Sequence, residues 1–241
     1  MSSQNRPQYE AMLQQALNVR MTSISRRRLV RNAAIAGGGL AAISITGIAT
    51  AQSSTPSVGD ATPSGAATPN GAAPFANDVE VLNYALTLEH LETAFYRDGL
   101  ASIGSAGITA LGFQTGVFDL LGEIAAHEAA HVDTLTKVVT SLGGQPVAEA
   151  TYDFGYKDAA GFLATAQAIE DTGVGAYGGA AQYLMDNGDL LTAALTIHGV
   201  EARHAAYLAI LNASNPFPAA FDQALTKDEV LKIATPFITG S

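Results

Sequence analysis

Apolar residues recur at alternating spacings of three and four along four long stretches between residues 77 and 213. This spacing places them on one side of an α-helix and predicts a buried seam along each stretch. The first predicted helix begins after Asn77 as N-cap and ends at Gly99. The next three are predicted at about 115–142, 158–188 and 189–213. A short fifth helix follows the capping box Thr226-x-x-Glu229, so the pattern predicts an all-α four-helix bundle with a short C-terminal extra helix.

Two long connections leave the topology of this bundle open. About 15 residues join the second and third predicted helices and reach about 50 Å when extended, against about 42 Å for a 28-residue helix. This connection can therefore cross the whole bundle and leave the two helices parallel, although the connection before it is almost as long. Segment 215–221 contains two prolines and two phenylalanines, and we expect it to form an irregular cover over one end of the bundle.

The N-terminal third of the chain has a different pattern. Residues 25–31 read Ser-Arg-Arg-Arg-Leu-Val-Arg, which resembles a twin-arginine export signal, and a weakly apolar stretch and small residues follow up to Ala51. We interpret residues 1–51 as a signal peptide with an extended n-region; an uncleaved membrane anchor is the alternative. Residues 52–76 are rich in Ser, Thr, Pro, Gly and Ala and are predicted to be a disordered linker. The bundle domain then occupies residues 77–241.

Composition narrows the possible chemistry. The chain has no cysteine, which excludes disulfides, zinc–thiolate sites, iron–sulfur clusters and thiol catalysis. Any metal must therefore be held by histidine and carboxylate groups, which suit iron, manganese or zinc. The net charge is −10, and half of the twelve basic residues lie within the first 31 positions, so the remainder of the chain is strongly acidic. This charge argues against a nucleic acid partner.

Two Glu-x-x-His motifs lie on the predicted seams. Glu128 and His131 lie on the second helix, and Glu201 and His204 lie on the fourth. Residues three apart share one face of a helix, so each motif can direct a carboxylate and an imidazole at one point. Di-iron and di-manganese sites in helical bundles use two such motifs together with one glutamate from each of two other helices.

The other two long helices each place a glutamate on their seam. These residues are Glu89 on the first helix and Glu170 on the third. Four buried carboxylates would repel one another and hold protons unless cations lay between them. Two divalent metal ions would balance the four negative charges, with two neutral imidazoles completing the site. The sequence therefore predicts six metal ligands: Glu89, Glu128, His131, Glu170, Glu201 and His204.

Four segments of the chain resemble the sequences of a known family. Residues 77–213 are similar to the ferritin-like superfamily, and especially to its exported group related to desiccation-associated proteins. The resemblance is carried by residues 86–96, 128–131, 170–177 and 201–204. It implies a dinuclear site, with iron favoured over manganese, and a reaction with dioxygen or peroxide. Members of the superfamily include oxidases, ferroxidases, catalases and proteins without a demonstrated activity.

Five further side chains are candidates around the site. Tyr96 and Tyr177 follow the glutamates of the first and third helices by seven residues, a spacing that the resemblance associates with a tyrosine beside the metals. They are candidate catalytic residues that would bond a ligand carboxylate or relay an electron; core packing is the alternative. Glu92, His127 and His198 are candidate outer partners of the ligands, and the two histidines would otherwise pack at the core edge.

The function expected from these observations is that of an exported dinuclear metalloprotein with a redox role in stress protection. Iron oxidation and the consumption of peroxide or dioxygen are the candidate reactions. A protective helical bundle with no metal or a purely structural one is an alternative of another class, and a manganese catalase is a further one. The expected partners are metal ions, dioxygen or peroxide, and the twin-arginine translocase during export. We expect a monomer or small homo-oligomer in a periplasmic, cell-wall or extracellular location.

Overall fold

The computed structural model describes residues 74–240, so the predicted signal peptide and most of the predicted linker lie outside the described residues. Five α-helices and two short strands form this part of the chain. The helices are α1 (Asp78–Ala110), α2 (Thr115–Ser141), α3 (Ala159–Ala180), α4 (Gly188–Leu211) and α5 (Lys227–Ala234). The strands are β1 (Thr151–Tyr152) and β2 (Ile238–Gly240), which pair antiparallel. The predicted four-helix bundle with a short C-terminal helix is confirmed.

The predicted helix starts are close to the observed ones because the capping side chains act as expected. The side chain of Asn77 accepts a hydrogen bond of 3.0 Å from the backbone N–H of Glu80 at the start of α1. At α5, Thr226 and Glu229 form both hydrogen bonds of the predicted capping box. No helix within residues 74–240 has the length and apolar character needed to cross a membrane.

The predicted end of α1 is wrong by eleven residues. The helix continues past Gly99 to Ala110, with a break in helical geometry at Gly104, whose φ is 62°. A side-chain Cβ at Gly99 would lie 2.3 Å from the ring of Phe162 on α3. Gly99 is therefore required by the close packing of two helices, and it does not end the first one.

The predicted end of α3 is also wrong. The helix ends at Ala180 and continues as a 3₁₀ turn over Ala181–Leu184. Asn187, predicted to end this helix, is instead the N-cap of α4 and accepts a hydrogen bond from the backbone N–H of Leu190 at 3.3 Å. Asparagine serves either role, and here the short polar side chain satisfies a donor at a helix start.

The connection between α2 and α3 crosses the bundle along α1. It begins where Gly144 packs against Val79, and the backbone N–H of Val147 then donates to the side chain of Asn83 at 2.8 Å. It ends beyond Tyr156, whose ring lies 5.5 Å from that of Phe95. Since the connection follows α1 in the direction of its chain, α2 and α3 both run antiparallel to α1 and parallel to each other. The crossing of the whole bundle, which the length of this connection allows, is therefore the arrangement observed.

The pairing of β1 with β2 was not predicted. It joins the crossing connection to the C-terminal segment, and the register places Thr151 opposite Gly240 and Tyr152 opposite Ile238. Runs of two and three residues are too short to show the alternation by which strands are recognised.

Two predictions about irregular segments need correction. Phe75, placed in the disordered linker, is only 6% exposed, and its ring lies 5.2 Å from Tyr84 and 5.3 Å from Tyr183. The packed domain therefore includes residues 74–76. Segment 215–221 does not cover the bundle end, because Phe217 and Phe221 are 78% and 86% exposed.

Candidate metal centre

The six predicted ligands come together at the middle of the bundle. They form two overlapping groups in which all the candidate ligand atoms lie within 4.8 Å of one another. The first group contains Glu89, Glu128, His131 and Glu201, and the second contains Glu128, Glu170, Glu201 and His204. Glu128 and Glu201, the glutamates of the two Glu-x-x-His motifs, belong to both groups. The arrangement offers two adjacent positions, each with one histidine and one glutamate of its own.

This convergence follows from the helical spacing. Within each motif, positions i and i+3 lie on one face, and that face is the apolar seam turned toward the bundle interior. All four glutamates are fully buried, while the side chains of His131 and His204 are 12% and 6% exposed. The helices therefore hold six polar groups in a volume that is almost free of solvent.

The first position is organised around His131. Its Nδ1 lies 3.1 Å from Oε2 of Glu89 and 3.0 Å from Oε2 of Glu128. It also lies 3.2 Å from Oε1 of Glu201. Three carboxylates from three helices thus face one imidazole nitrogen.

The second position has the same organisation around His204. Its Nδ1 lies 2.9 Å from Oε1 of Glu128 and 3.2 Å from Oε2 of Glu170. The more distant Oε2 of Glu201 is 3.8 Å away. In both positions Nδ1, and not Nε2, is the nitrogen that faces the carboxylates.

The two predicted tyrosines hold the two unshared glutamates. The hydroxyl of Tyr96 donates to Oε1 of Glu170 at 2.5 Å, and the hydroxyl of Tyr177 donates to Oε1 of Glu89. Burial, together with the facing carboxylate, raises the pKa of each tyrosine hydroxyl well above its usual value. Both tyrosines therefore stay protonated and orient the carboxylates.

The glutamates differ in how readily they ionise. Burial raises the pKa of Glu89 to about 8, against the lowering effect of His131. Burial also raises the pKa of Glu170 well above its usual range. For Glu201, burial is outweighed by the neighbouring histidines, and its pKa falls to about 2. Without metal, the cluster therefore holds protons on some carboxylates and not on others.

The histidines hold protons strongly in this metal-free arrangement. Burial lowers the pKa of His131, but the facing glutamates outweigh burial and raise it to about 12. The same balance raises the pKa of His204 to about 11. Protons on the two imidazoles thus occupy the place that cations would take among the carboxylates.

The residues present fit a pair of divalent metal ions. Oε1 of Glu128 and both side-chain oxygens of Glu201 are buried and make no hydrogen bond of good geometry within the described residues, although the imidazoles of His131 and His204 lie close to them. Buried polar atoms are normally hydrogen-bonded, so three oxygens without such a bond on the two shared glutamates fit atoms that would bind cations. Oxygen and imidazole ligands also suit iron or manganese.

The outer candidates take different positions. Nδ1 of His127 lies 3.0 Å from Nε2 of His204, and the planes of the two rings are within 9° of parallel, with centroids 5.3 Å apart. Glu92 is only 2% exposed and belongs to neither ligand group. Burial, followed by the charge of Glu201, raises its pKa well above the usual range. His198 makes no hydrogen bond to the six ligands within the described part of the chain.

Gly173 also belongs to the site, although a glycine has no side chain that could bind a metal. A Cβ at this position would lie 3.0 Å from Oε1 of Glu92 and 3.5 Å from Oε2 of Glu201. The missing side chain makes room for two carboxylates on the seam of α3. A glycine at a seam position, three residues after Glu170, was the available signal in the sequence.

Comparison with protein families finds a match over residues 77–214 to the family described as the ferritin-like domain. The matched segment contains α1 to α4 and all six ligand candidates. It covers more than half of the chain. A search of curated proteins finds no match.

Proposed function

We propose that the bundle of this chain, which belongs to the ferritin-like domain family, binds two divalent metal ions and uses them in redox chemistry. One observation carries the proposal: two four-residue ligand groups overlap and share Glu128 and Glu201. A single-metal site would not need six ligand residues in two overlapping groups. The four carboxylates also match the charge of two divalent ions.

Each part of the chain has a role in this proposal. Glu128 and Glu201 are shared by the two metal positions, and one glutamate and one histidine complete each position. Tyr96 and Tyr177 fix the unshared glutamates by hydrogen bonds and keep their proton, because the pKa of each hydroxyl is raised. The seams above and below the cluster exclude water, which strengthens the charge interactions inside.

A bound iron or manganese pair would supply electrons for the reduction of dioxygen or peroxide. Iron oxidation and peroxide consumption in stress protection are the reactions that we propose, with iron favoured over manganese. Buried ligands from four different helices hold the two positions at a fixed separation, which suits a two-electron reaction at adjacent centres.

Metal stoichiometry tests the site. The wild-type chain should bind about two ions, and Glu128→Ala or His204→Ala should lower this number. Asp119→Ala is a matched control, since Asp119 is an exposed acidic residue on the same helix as Glu128. Elemental analysis of purified protein measures the ratio. Full metal content in both site variants would contradict the ligand assignment.

The redox role has its own test. Ferrous iron is added to metal-free protein without air, oxygen is then admitted, and absorption and oxygen consumption are followed together. A near-ultraviolet charge-transfer band with oxygen uptake supports the proposal. The absence of both signals would favour a protective bundle with a structural metal. Oxygen release from peroxide by the manganese-loaded protein would favour a catalase.

We further propose that the twin-arginine translocase exports the protein, which places it in the periplasm, the cell wall or outside the cell as a monomer or small homo-oligomer. The basis is the arginine motif at residues 25–31. Replacing Arg26 and Arg27 by lysine should stop export, measured by fractionation of expressing cells. Unchanged export of that variant would contradict the route.

A further inference from the structure

The two metal positions have nearly the same surroundings. Each has a histidine from a Glu-x-x-His motif, a glutamate of its own and a tyrosine that donates to that glutamate. The motifs differ in the residue that precedes the shared glutamate. It is His127 on α2 and Val200 on α4. The position of His204 therefore has an extra imidazole beside it, whereas the corresponding residue of the other motif is aliphatic.

His127 supports the imidazole of His204 across the bundle. Nδ1 of His204 faces Glu128 and Glu170, which leaves Nε2 to face outward. Nδ1 of His127 lies 3.0 Å from that Nε2, and the planes of the two rings differ by only 9°. With a metal on Nδ1, the remaining proton of His204 would lie on Nε2, where Nδ1 of His127 could accept it. The contact fixes both the tautomer and the orientation of the ligand ring.

His131 lacks this support. Its Nδ1 faces three carboxylates, but its Nε2 makes no hydrogen bond to any residue within the range 74–240. Its side chain is 12% exposed, twice the value for His204. Solvent can accept the proton of Nε2, but a mobile water molecule does not hold the ring in one orientation as a hydrogen-bonded imidazole does. Val200 offers no acceptor.

We propose that the two metal positions bind with unequal affinity, and that His127 is a positioning residue that makes the position of Glu170 and His204 fill first. This inference rests on the proposed function insofar as two metals bind. Outer partners of metal-bound histidines typically account for about 10- to 100-fold in metal affinity. We therefore expect two binding steps separated by about that factor.

Stepwise titration of the full-length, metal-free protein with Mn²⁺ tests the inequality. Calorimetry measures both steps, and the electron paramagnetic resonance of free Mn²⁺ counts the ions bound. In the wild type, the first ion should bind about 10- to 100-fold more tightly than the second. His204→Ala should remove the tighter step, and His131→Ala should remove the weaker one.

Substitutions at His127 test its role. His127→Val copies the counterpart position and should bring the two steps together by weakening the tighter one alone. His127→Asn keeps an acceptor near the place of Nδ1 and should restore most of the difference. Asp119→Ala, on the exposed side of α2, should change neither step.

The possible outcomes separate this inference from the proposed function. Two equal steps in the wild type would overturn the inequality while leaving the dinuclear site intact. Equal weakening of both steps in His127→Val, without recovery in His127→Asn, would show a merely structural role and overturn the positioning role. A chain that binds no Mn²⁺ would contradict the dinuclear site itself, and this inference with it.

Discussion

Loading the bundle with metal should release about three to four protons per chain at neutral pH. The metal-free cluster holds protons on His131, His204 and Glu89, with pKa values of about 12, 11 and 8. Metal ligands must be deprotonated, so each of these protons leaves when the ions bind. At pH 7 the two histidines contribute about one proton each, and Glu89 contributes about 0.9. Glu170, whose pKa is raised well above its usual range, adds up to one more.

The sign of the pH dependence follows from this count. Both histidines stay protonated from pH 6 to pH 9 and so contribute about two protons throughout. The contribution of Glu89 falls from nearly one proton at pH 6 to about 0.1 at pH 9, because its pKa is about 8. Near pH 7, the product of the two binding constants should therefore rise about 1,000- to 10,000-fold for each unit increase in pH.

Calorimetry in buffers with different ionisation enthalpies measures the protons released. The slope of the observed binding enthalpy against buffer enthalpy gives the number of protons directly. The double variant Glu128→Ala and His204→Ala serves as the control for metal bound elsewhere on an acidic surface. Release of less than one proton per chain on binding two ions would refute the assignment of protonated histidines to the metal-free cluster. A release that stayed constant between pH 6 and pH 9 would refute the role of Glu89.

Four further substitutions test contacts at the site and in the packing of the bundle. Tyr177→Phe removes the hydrogen bond to Glu89 and should weaken Mn²⁺ binding about 10-fold in a titration, and an unchanged affinity would contradict the orienting role. Gly179→Ala places a Cβ 1.8 Å from a backbone carbonyl and should cost about 2 kcal/mol or more in urea unfolding. Gly122→Ala, with nothing within 4 Å, should instead stabilise α2 by about 1 kcal/mol, and equal effects at the two glycines would contradict this explanation. Phe75→Ala should cost about 3 kcal/mol in the same assay, whereas a cost near zero would place this residue in a linker after all.

The sequence could predict the helices and the cluster together because one periodicity controls both. A seam of apolar residues determines which face of a helix is buried, and a glutamate on that seam is buried with it. The spacing of Glu128 and His131 therefore predicted the elements and the direction of the side chains at once. All four glutamates on the predicted seams are buried in the structure.

The missed features depend on contacts between segments that are distant in the sequence. Gly99 resembles a helix terminator locally, and only the ring of Phe162, 63 positions later, shows that it is a packing glycine. Phe75 follows a long polar segment and becomes part of the core through Tyr84 and Tyr183. The contact of His127 with His204 joins two helices, so the sequence could name it only as one of several candidates.

Protons and metal ions occupy the same place in this bundle. Four buried carboxylates could not all stay ionised in a metal-free fold, but two protonated imidazoles and protons on Glu89 and Glu170 reduce the repulsion. The helices can therefore pack in the absence of metal. Metal ions can then replace these protons while the bundle stays folded. The exchange is controlled by pH and by the two imidazoles. A difference between those imidazoles, such as the support of His204 by His127, becomes a difference in the order in which the two positions fill.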